Sequence, residues 1–516
     1  MPAWLAPATC AALAFAVYAN TLTHGFITDD QFQILNNPVV TGSRSLFSAF
    51  GSGVWAFLGY RGNYFRPVQF LVYGLMFRTF GPNAFAFHLL MVLLHAANTA
   101  LIYAFARRLL AGRLPAAALV SAALFAVHPI HTEAVNWIAA LPDVLVTTFA
   151  LIGLLAFARQ DAAPNTRQSA AHAALYLAAL LTKETGVILL PLYAAYQWLR
   201  GSRRNWRMYA AMAAALAAYL ATRIHALGGL APAQQAFFHL TAAHFAMSVV
   251  VLAARYLLAL LLPVDLNFFH VFHATTGASL ELLASAAALG AVAWFTIRYR
   301  RSQPLIAFTI FWIAATIAPA LNIAGVGQNV FAERYLYLPS AGFVILAGLA
   351  WSWLQSARPN WAWPTAAAIL LVFSVETIAR NRDWSDDFTL LQVTLKQSPD
   401  SGYLHNLMAG AWVQRDQFQK ALEEQRLAVQ YDPESSVFHK NLGNILLGID
   451  PAAAAREFAA VIAIQPQLAE GHFDLGLAYQ AMGDFSKAAD EYRRALAIDP
   501  GYRDAAAALE KLPQPR

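Results

Sequence analysis

Charge is what this chain has least of. Only 12% of its 516 residues are Asp, Glu, Lys or Arg and 59% are apolar, whereas a soluble domain carries roughly 25% charged residues. That balance excludes an ordinary water-soluble globule and marks a polytopic membrane protein. Cysteine is nearly absent as well: the single Cys10 excludes an internal disulfide framework and, lying in the first apolar stretch, says nothing of compartment. A basic segment ahead of that stretch is also missing. The run from Ala3 to about Leu22 is near 20 residues long, so it reads as a retained transmembrane helix rather than a signal peptide. The net charge of +6 sits in short loops between apolar runs. It is a topology signal, which excludes nucleic acid as a partner.

What is present is a series of apolar runs at 83–110, 115–129, 138–158, 168–182, 186–199, 207–226, 243–262, 279–298, 304–321, 336–355 and 362–379, with 67–80 as an additional short or re-entrant segment. The fold expected is all-α, a membrane helix bundle of about 11–13 spans, several of them short, tilted or broken around a polar cavity. Arg107, Arg108, Arg113, Arg159, Arg167, Arg200, Arg203, Arg204 and Arg207 belong in the cytoplasm by the positive-inside rule. The loops carrying Asp29, Glu133 and Lys183 then face the other side. Strict alternation puts Arg298, Arg300 and Arg301 outside, so one segment is missing or surplus between residues 226 and 278.

From about residue 400 the composition changes to charged, repetitive material. Pro399, Pro433, Pro466 and Pro500 recur at spacings of 34, 33 and 34, and the last unit reads Leu475, Gly476, Tyr479, Ala488, Tyr492, Ala495, Pro500. This is the tetratricopeptide pattern, three units followed by a capping helix over Tyr502 to Leu512. Such a solenoid offers a surface to an extended peptide or partner protein; a purely structural or oligomerising tail is the alternative. The domains expected are a transmembrane domain over 1–380, a junction over 381–400 and a repeat domain over 401–512.

The polar residues at span ends carry the chemistry. Asp29 and Asp30 follow the first span in GFITDDQFQILNNP; adjacent carboxylates repel, which raises one pKa or recruits a cation, and both effects suit a general base. A turn or cap device is the plain alternative. Arg66 in YFRP faces a phosphate or carboxylate, or snorkels. FAVHPIHTEAVNWIAALPDVL holds His128, His131, Glu133 and Asp143; it forms a polar active-site loop, a metal cluster or a satisfied structural network, and its spacing fits no zinc signature. Lys183 and Glu184 in LLTKETG form a charged pair at membrane depth. Glu333, Arg334 and Tyr335 in GQNVFAERYLYLPSAGF suit a phosphate headgroup or an aromatic belt.

The ordered set DD, YFRP, HPIHTEAV, TKETG, AERYLYLPS and RNRDWSDDFTLLQ, leading into the repeats, resembles the transmembrane and tetratricopeptide-repeat-containing O-mannosyltransferases and their bacterial relatives over nearly the whole chain. The family's arginine before its second aspartate is replaced here by Leu141 and Pro142 ahead of Asp143. The resemblance implies a GT-C fold and a glycosyltransferase using a polyprenyl-phosphate sugar, mannose or another hexose, with protein Ser or Thr as acceptor. It assigns Asp29, with Asp30, to catalysis; Arg66, Lys183 and Arg334 to phosphate charge; and His128, His131 and Glu133 to the sugar pocket, with Asp143, Glu184, Glu333 and Tyr335 beside them. One displacement inverts the anomeric centre. Mg2+ or Mn2+ at Asp30 and Glu133 is the cofactor expected if the reaction takes one. Alanine-rich, loop-poor composition implies a bacterial inner membrane, with site and repeats on the periplasmic side. The rival classes are a non-catalytic scaffold using its repeats for assembly and a lipid-linked substrate transporter. Inverted repeats among the spans, the mark of many transporters, are not seen.

Overall fold

A computed structural model describes residues 4–513 except 60–61, 111–113, 161–162, 202–204, 231–237, 239 and 324–328. Arg113, Arg203 and Arg204 therefore lie outside the described residues. Those described form helices and connecting turns with no β-strand, in two compact units, Met1–Asp386 and Asp387–Arg516.

The first unit comprises α1 (Leu5–Tyr18), α2 (Pro38–Thr41), α3 (Pro67–Phe80), α4 (Ala84–Leu109), α5 (Pro115–Val127), α6 (Thr132–Asn136), α7 (Leu141–Ala158), α8 (Thr166–Thr182), α9 (Leu189–Arg200), α10 (Trp206–Leu227), α11 (Ala242–Leu261), α12 (Leu280–Tyr299), α13 (Pro304–Ile317), α14 (Tyr337–Ala357) and α15 (Pro359–Asn381). Proline opens α3, α5, α13 and α15, where its missing N–H costs no intrahelical bond. Alanine-rich α5 and apolar α7 are buried along most of their length and pack with α4 and α14 at the centre.

Among the described residues nine helical stretches are long and apolar enough to cross a membrane, or ten if the bent pair Pro115–Val127 and Pro129–Asn136 is one span. That is fewer than eleven to thirteen because α8 and α9, at 17 and 12 residues, are shorter than the ~20 residues of a perpendicular span.

The unit has two distinct ends. At one, Arg108 donates to the Ala158 carbonyl at 2.8 Å, joining the basic ends of α4 and α7. The other end carries the polar loops. Arg223 on α10 donates to the carbonyls of Leu230 at 3.0 Å and Asn63 at 2.7 Å. Near the end of α11, the Leu260 carbonyl lies 3.0 Å from His128 Nε2, and beyond the helix the Leu266 carbonyl accepts from Arg380 at 2.5 Å. Leu230, after α10, and Leu260, near the end of α11, are thus both held at this end. Helix α3 likewise starts at Arg66 and ends beside α4, whose His88 lies 3.2 Å from the Gly25 carbonyl.

The second unit contains α16 (Asp387–Gln397), α17 (Gly402–Val413), α18 (Phe418–Tyr431), α19 (Ser436–Leu447), α20 (Pro451–Ile464), α21 (Ala469–Ala481), α22 (Phe485–Ile498) and α23 (Arg503–Lys511). Helices α17 to α22 pair in succession, and α23 follows as the last helix. Gly443 and Gly476 let the paired helices close: a Cβ at either would come within 2.5 Å of the Phe458 or Tyr492 ring. Each unit also carries a histidine paired to a glutamate on its second helix: His405 with Glu424 at 2.6 Å, His439 with Glu457 at 2.7 Å and His472 with Glu491 at 2.7 Å.

Candidate active site

The acidic loop is built by a turn. After α1 the chain passes through a 3-10 turn at Ala19–Thr23 and an extended stretch to Thr28, which takes φ +46°, a left-handed conformation uncommon outside glycine. The turn brings Asp30 back onto its own loop. Fully buried, Asp30 accepts from the Ile27 N–H at 3.2 Å and, 109 positions along, from the Ala139 N–H at 2.7 Å. Two backbone donors satisfy a buried carboxylate and fix the loop to the start of α7. Asp29 stands half-buried beside it, and both acids lie within electrostatic range of Tyr73.

A cavity of about 260 Å3 lies at the polar end, lined by Tyr64, Arg66, Asp143, Lys183, Glu184 and Tyr335 among others. Four separate sequence motifs converge there. Arg66 grips Glu184 with two hydrogen bonds, Nε at 3.1 Å and Nη2 at 2.5 Å, while its guanidinium lies 4.6 Å over the Tyr64 ring. Lys183 Nζ donates to Asp143 at 2.5 Å and lies 5.0 Å over Tyr335. Burial opposes the Arg66 charge, but Glu184 more than offsets it and raises the guanidinium pKa. Burial also opposes ionisation of Glu184, yet Arg66 and Lys183 hold its pKa at about 2. For Lys183 burial wins and lowers the pKa despite Asp143. Gly186 makes this turn fit: a Cβ there would fall 2.7 Å from the Ala179 backbone, and no side chain can yield to relieve that contact.

Beside the cavity, fully buried Glu133 receives both the Arg334 backbone N–H, at 2.8 Å, and its guanidinium. Arg334 lies 5.0 Å over Trp137 and 4.8 Å over Tyr335. Glu333 turns away from the cavity, to the Asn267 N–H and to Arg380 at 3.1 Å. Arg380 also reaches Thr132 Oγ1 at 3.2 Å, and Asn381 donates to Asn20 at 2.8 Å and to the Val17 carbonyl at 3.0 Å. The pair at the end of α15 thus ties together α1, the histidine segment and the loop before α14.

The structure shows what three sets of these residues contact. His128 and His131 do not line the cavity. Both are fully buried; His131 contacts the Phe125 carbonyl at 3.0 Å and Ser340 at 2.8 Å, and His128 caps Ile130. In that apolar core their ring nitrogens are taken up by structure. Arg66, Lys183 and Arg334 are not spare positive charges, because each is matched by a carboxylate, as burial of a charge requires. Of the two acids expected to hold a cation, backbone amides hold Asp30 and Arg334 holds Glu133; no group of three or more metal-ligating side chains occurs among the described residues. Sequence reasoning also missed Tyr64, Thr316 and Asn322 in the cavity wall and the clasp made by Arg380 and Asn381. The RNRDW motif was the only signal for that clasp.

Residues 66–226 match the family described as dolichyl-phosphate-mannose-protein mannosyltransferase, and residues 469–502 match the tetratricopeptide repeat. The chain is similar in sequence to several proteins named protein O-mannosyl-transferases. Mouse protein O-mannosyl-transferase TMTC3 is 24% identical over 95% of this chain and 60% of its own length. The Drosophila melanogaster protein O-mannosyl-transferase Tmtc1 is 27% identical over 84% of this chain and 62% of its own. The D. melanogaster protein O-mannosyl-transferase Tmtc2 is 36% identical over 37% of this chain and 21% of its own. The chain spans about six-tenths of the length of the first two of these relatives. Among solved structures, MamA matches at a TM-score of 0.23 and 23% identity, over 26% of this chain and 79% of MamA. The tetratricopeptide protein YrrB matches at 0.23 and 18%, over 40% of this chain and 91% of YrrB.

Proposed function

We propose that this protein is a membrane glycosyltransferase of the GT-C type that moves a hexose, mannose in the first instance, from a polyprenyl phosphate to a protein Ser or Thr hydroxyl. One observation carries the proposal. The stretch that matches the mannosyltransferase family, residues 66–226, supplies Arg66, Asp143, Lys183 and Glu184 to a single cavity at the end of the bundle that also holds the Asp29 loop.

The residues divide the labour as follows. Asp29 takes the proton of the acceptor hydroxyl; the acceptor oxygen bonds to the anomeric carbon from the face opposite the phosphate. The bond from that carbon to the phosphate oxygen breaks, its electron pair leaves with the polyprenyl phosphate, and the centre inverts. Alignment and charge placement supply the rate. The donor phosphate takes the place of the Glu184 carboxylate on the Arg66 fork, since both anions suit the same paired N–H geometry and Glu184, its side chain 33% exposed, is the more open partner. Asp30 holds the loop, Glu133 orients Arg334, and no step is routed through a metal. The basic helix ends lie away from the cavity, which supports a cytoplasmic position for them and a periplasmic one for the site in a bacterial inner membrane. The repeat unit recruits the acceptor.

The test is mass spectrometry of periplasmic proteins from cells with and without the protein, searching for hexose on Ser and Thr. Hexose lost with the protein supports the assignment; an unchanged glycan set on protein and lipid overturns it.

A further inference from the structure

One peptide group is held from both sides at the approach to α7. The N–H of the Ile138–Ala139 peptide donates to Asp30 at 2.7 Å, and its carbonyl accepts from the Tyr73 hydroxyl at 2.6 Å. Asp143, in the wall of the cavity, stands in the first turn of the helix that follows.

Tyr73 belongs to α3, the helix whose start Arg66 caps. Arg66, Gln69 and Tyr73 are spaced three and four residues apart, which puts them on one helical face. At the head of that face Arg66 reaches Glu184 in the cavity. A turn further on, Gln69 Nε2 donates to the Gln33 side chain at 2.6 Å and to the Tyr73 hydroxyl at 3.2 Å; Gln69 Oε1 has no hydrogen-bond partner, so its two N–H groups orient the amide. Gln33 lies in the π-helical turn Gln31–Leu35 that follows Asp30, a form frequent at functional sites. The contacts close a ring that runs from Asp30 through the Ile138–Ala139 peptide, Tyr73, Gln69 and Gln33, and back along the chain to Asp30. Every side chain that bonds in it is buried, where hydrogen bonds are strengthened by the low dielectric.

Asp29 lies between this ring and a second anchor. The Gly25 N–H donates to the Ser385 carbonyl at 3.2 Å, and the Gly25 carbonyl lies 3.2 Å from His88 Nε2. Between the two anchors Thr28 takes φ +46°, a conformation that a β-branched residue adopts only where its surroundings impose it.

Resting on the transferase reading above, we infer that Tyr73 and Gln69 are positioning residues, through which α3 keeps the Asp29 carboxylate in register with the Arg66 fork that takes the donor phosphate. One helix carries both reference points: its first residue faces the phosphate, and its next two turns hold the loop that presents the base. The separation between the acceptor proton and the leaving phosphate oxygen is therefore set by a rigid element. An error of about 1 Å in such a separation costs about 100-fold in rate.

The experiment compares the full native chain in lipid nanodiscs with Tyr73→Phe and Gln69→Leu. Two readouts are taken at one pH: hydrogen exchange over residues 26–35, and transfer from a synthetic polyprenyl-phosphate hexose to a Ser/Thr peptide. Tyr73→Phe is expected to speed exchange over 26–35 at least tenfold, to leave exchange across α4 unchanged, to lower kcat at least tenfold and to keep the donor KM within twofold. Gln69→Leu is expected to act in the same direction. Should Gln69→Leu fail to fold, Tyr73→Phe, which removes a single oxygen, carries the reading. Unchanged exchange over 26–35, an unchanged kcat, or faster exchange across α4 with kcat and donor KM impaired together overturns the inference. A native chain that transfers nothing overturns the transferase reading instead; the exchange readout, which needs no donor, then upholds or overturns the hold of α3 on the loop by itself.

Discussion

Asp30 holds the backbone of Ala139 at 2.7 Å, joining the first polar loop to the start of α7 across 109 positions. Two adjacent acids therefore have two different tasks. The buried one is a brace, and the proposed mechanism gives the proton transfer to its half-buried neighbour.

Substitution separates them. Asp30→Ala leaves two buried N–H groups without their acceptor and is expected to destabilise the first unit by about 2–4 kcal/mol, lowering yield and melting temperature. Asp29→Asn is expected to leave the melt within a degree or two and remove transfer. Equal destabilisation by both, read by thermal unfolding in detergent, contradicts the division.

The Lys183 and Asp143 pair offers a second test, because one partner alone in so dry a place is worse than neither. Lys183→Met is expected to cost about 3–5 kcal/mol, and adding Asp143→Leu to recover most of it. Transfer stays low in the double variant, since the cavity has lost half of its charged wall. Recovery of transfer along with stability means that the pair serves the fold only.

The second unit should weaken as pH rises. The two ring nitrogens of His405 face only acceptors, Glu424 at 2.6 Å and the Pro399 carbonyl at 2.9 Å, so the imidazolium is the species that fits, and the Tyr431 ring stacks on it. Burial lowers the His405 pKa, but these acceptors more than reverse that and raise it above 6.5. Its stabilisation is fully present below pH 6.5 and is lost as pH climbs through the raised value. Asp474 acts in the same direction: burial first, then Glu470, push its carboxyl from 3.8 to about 6, so protonation favours the fold and that help fades between those values. Protection from hydrogen exchange over residues 400–511, taken relative to the intrinsic exchange rate at each pH, is expected to be lower at pH 8.5 than at pH 5.5, and His405→Gln to shrink the difference. Equal or greater protection at the higher pH contradicts this.

The two ends of the bundle can be located by labelling. In a Cys10→Ser background, Phe47→Cys and Gly277→Cys are expected to react with an impermeant maleimide on cells whose outer membrane has been opened. Ser302→Cys should react only after lysis. Protection of position 277 would mean that α11 is a full crossing.

Much of this was legible in the sequence, and the limits are physical. Hydrophobic run length disclosed the helices, and the proline spacing disclosed the repeats. Length alone cannot show that Leu230 and Leu260 lie at one end of the bundle, because that depends on their being held by Arg223 and His128. Arg66, Asp143, Lys183, Glu184 and Tyr335 were readable as charges or aromatics in an apolar setting, and they do line one cavity. Their partners were not readable: nothing local says that Arg66 meets Glu184, 118 positions away. His128 and His131 misled because a buried histidine and a binding histidine look alike until the atoms around each ring are known.

The most direct measurement is transfer in a defined system. The purified chain in nanodiscs is given a synthetic polyprenyl-phosphate hexose and a Ser/Thr peptide, and glycopeptide is followed by mass spectrometry. The account predicts glycopeptide of inverted anomeric configuration from the native chain and none from a folded Asp29→Asn variant. Glycopeptide formed equally by both contradicts the account.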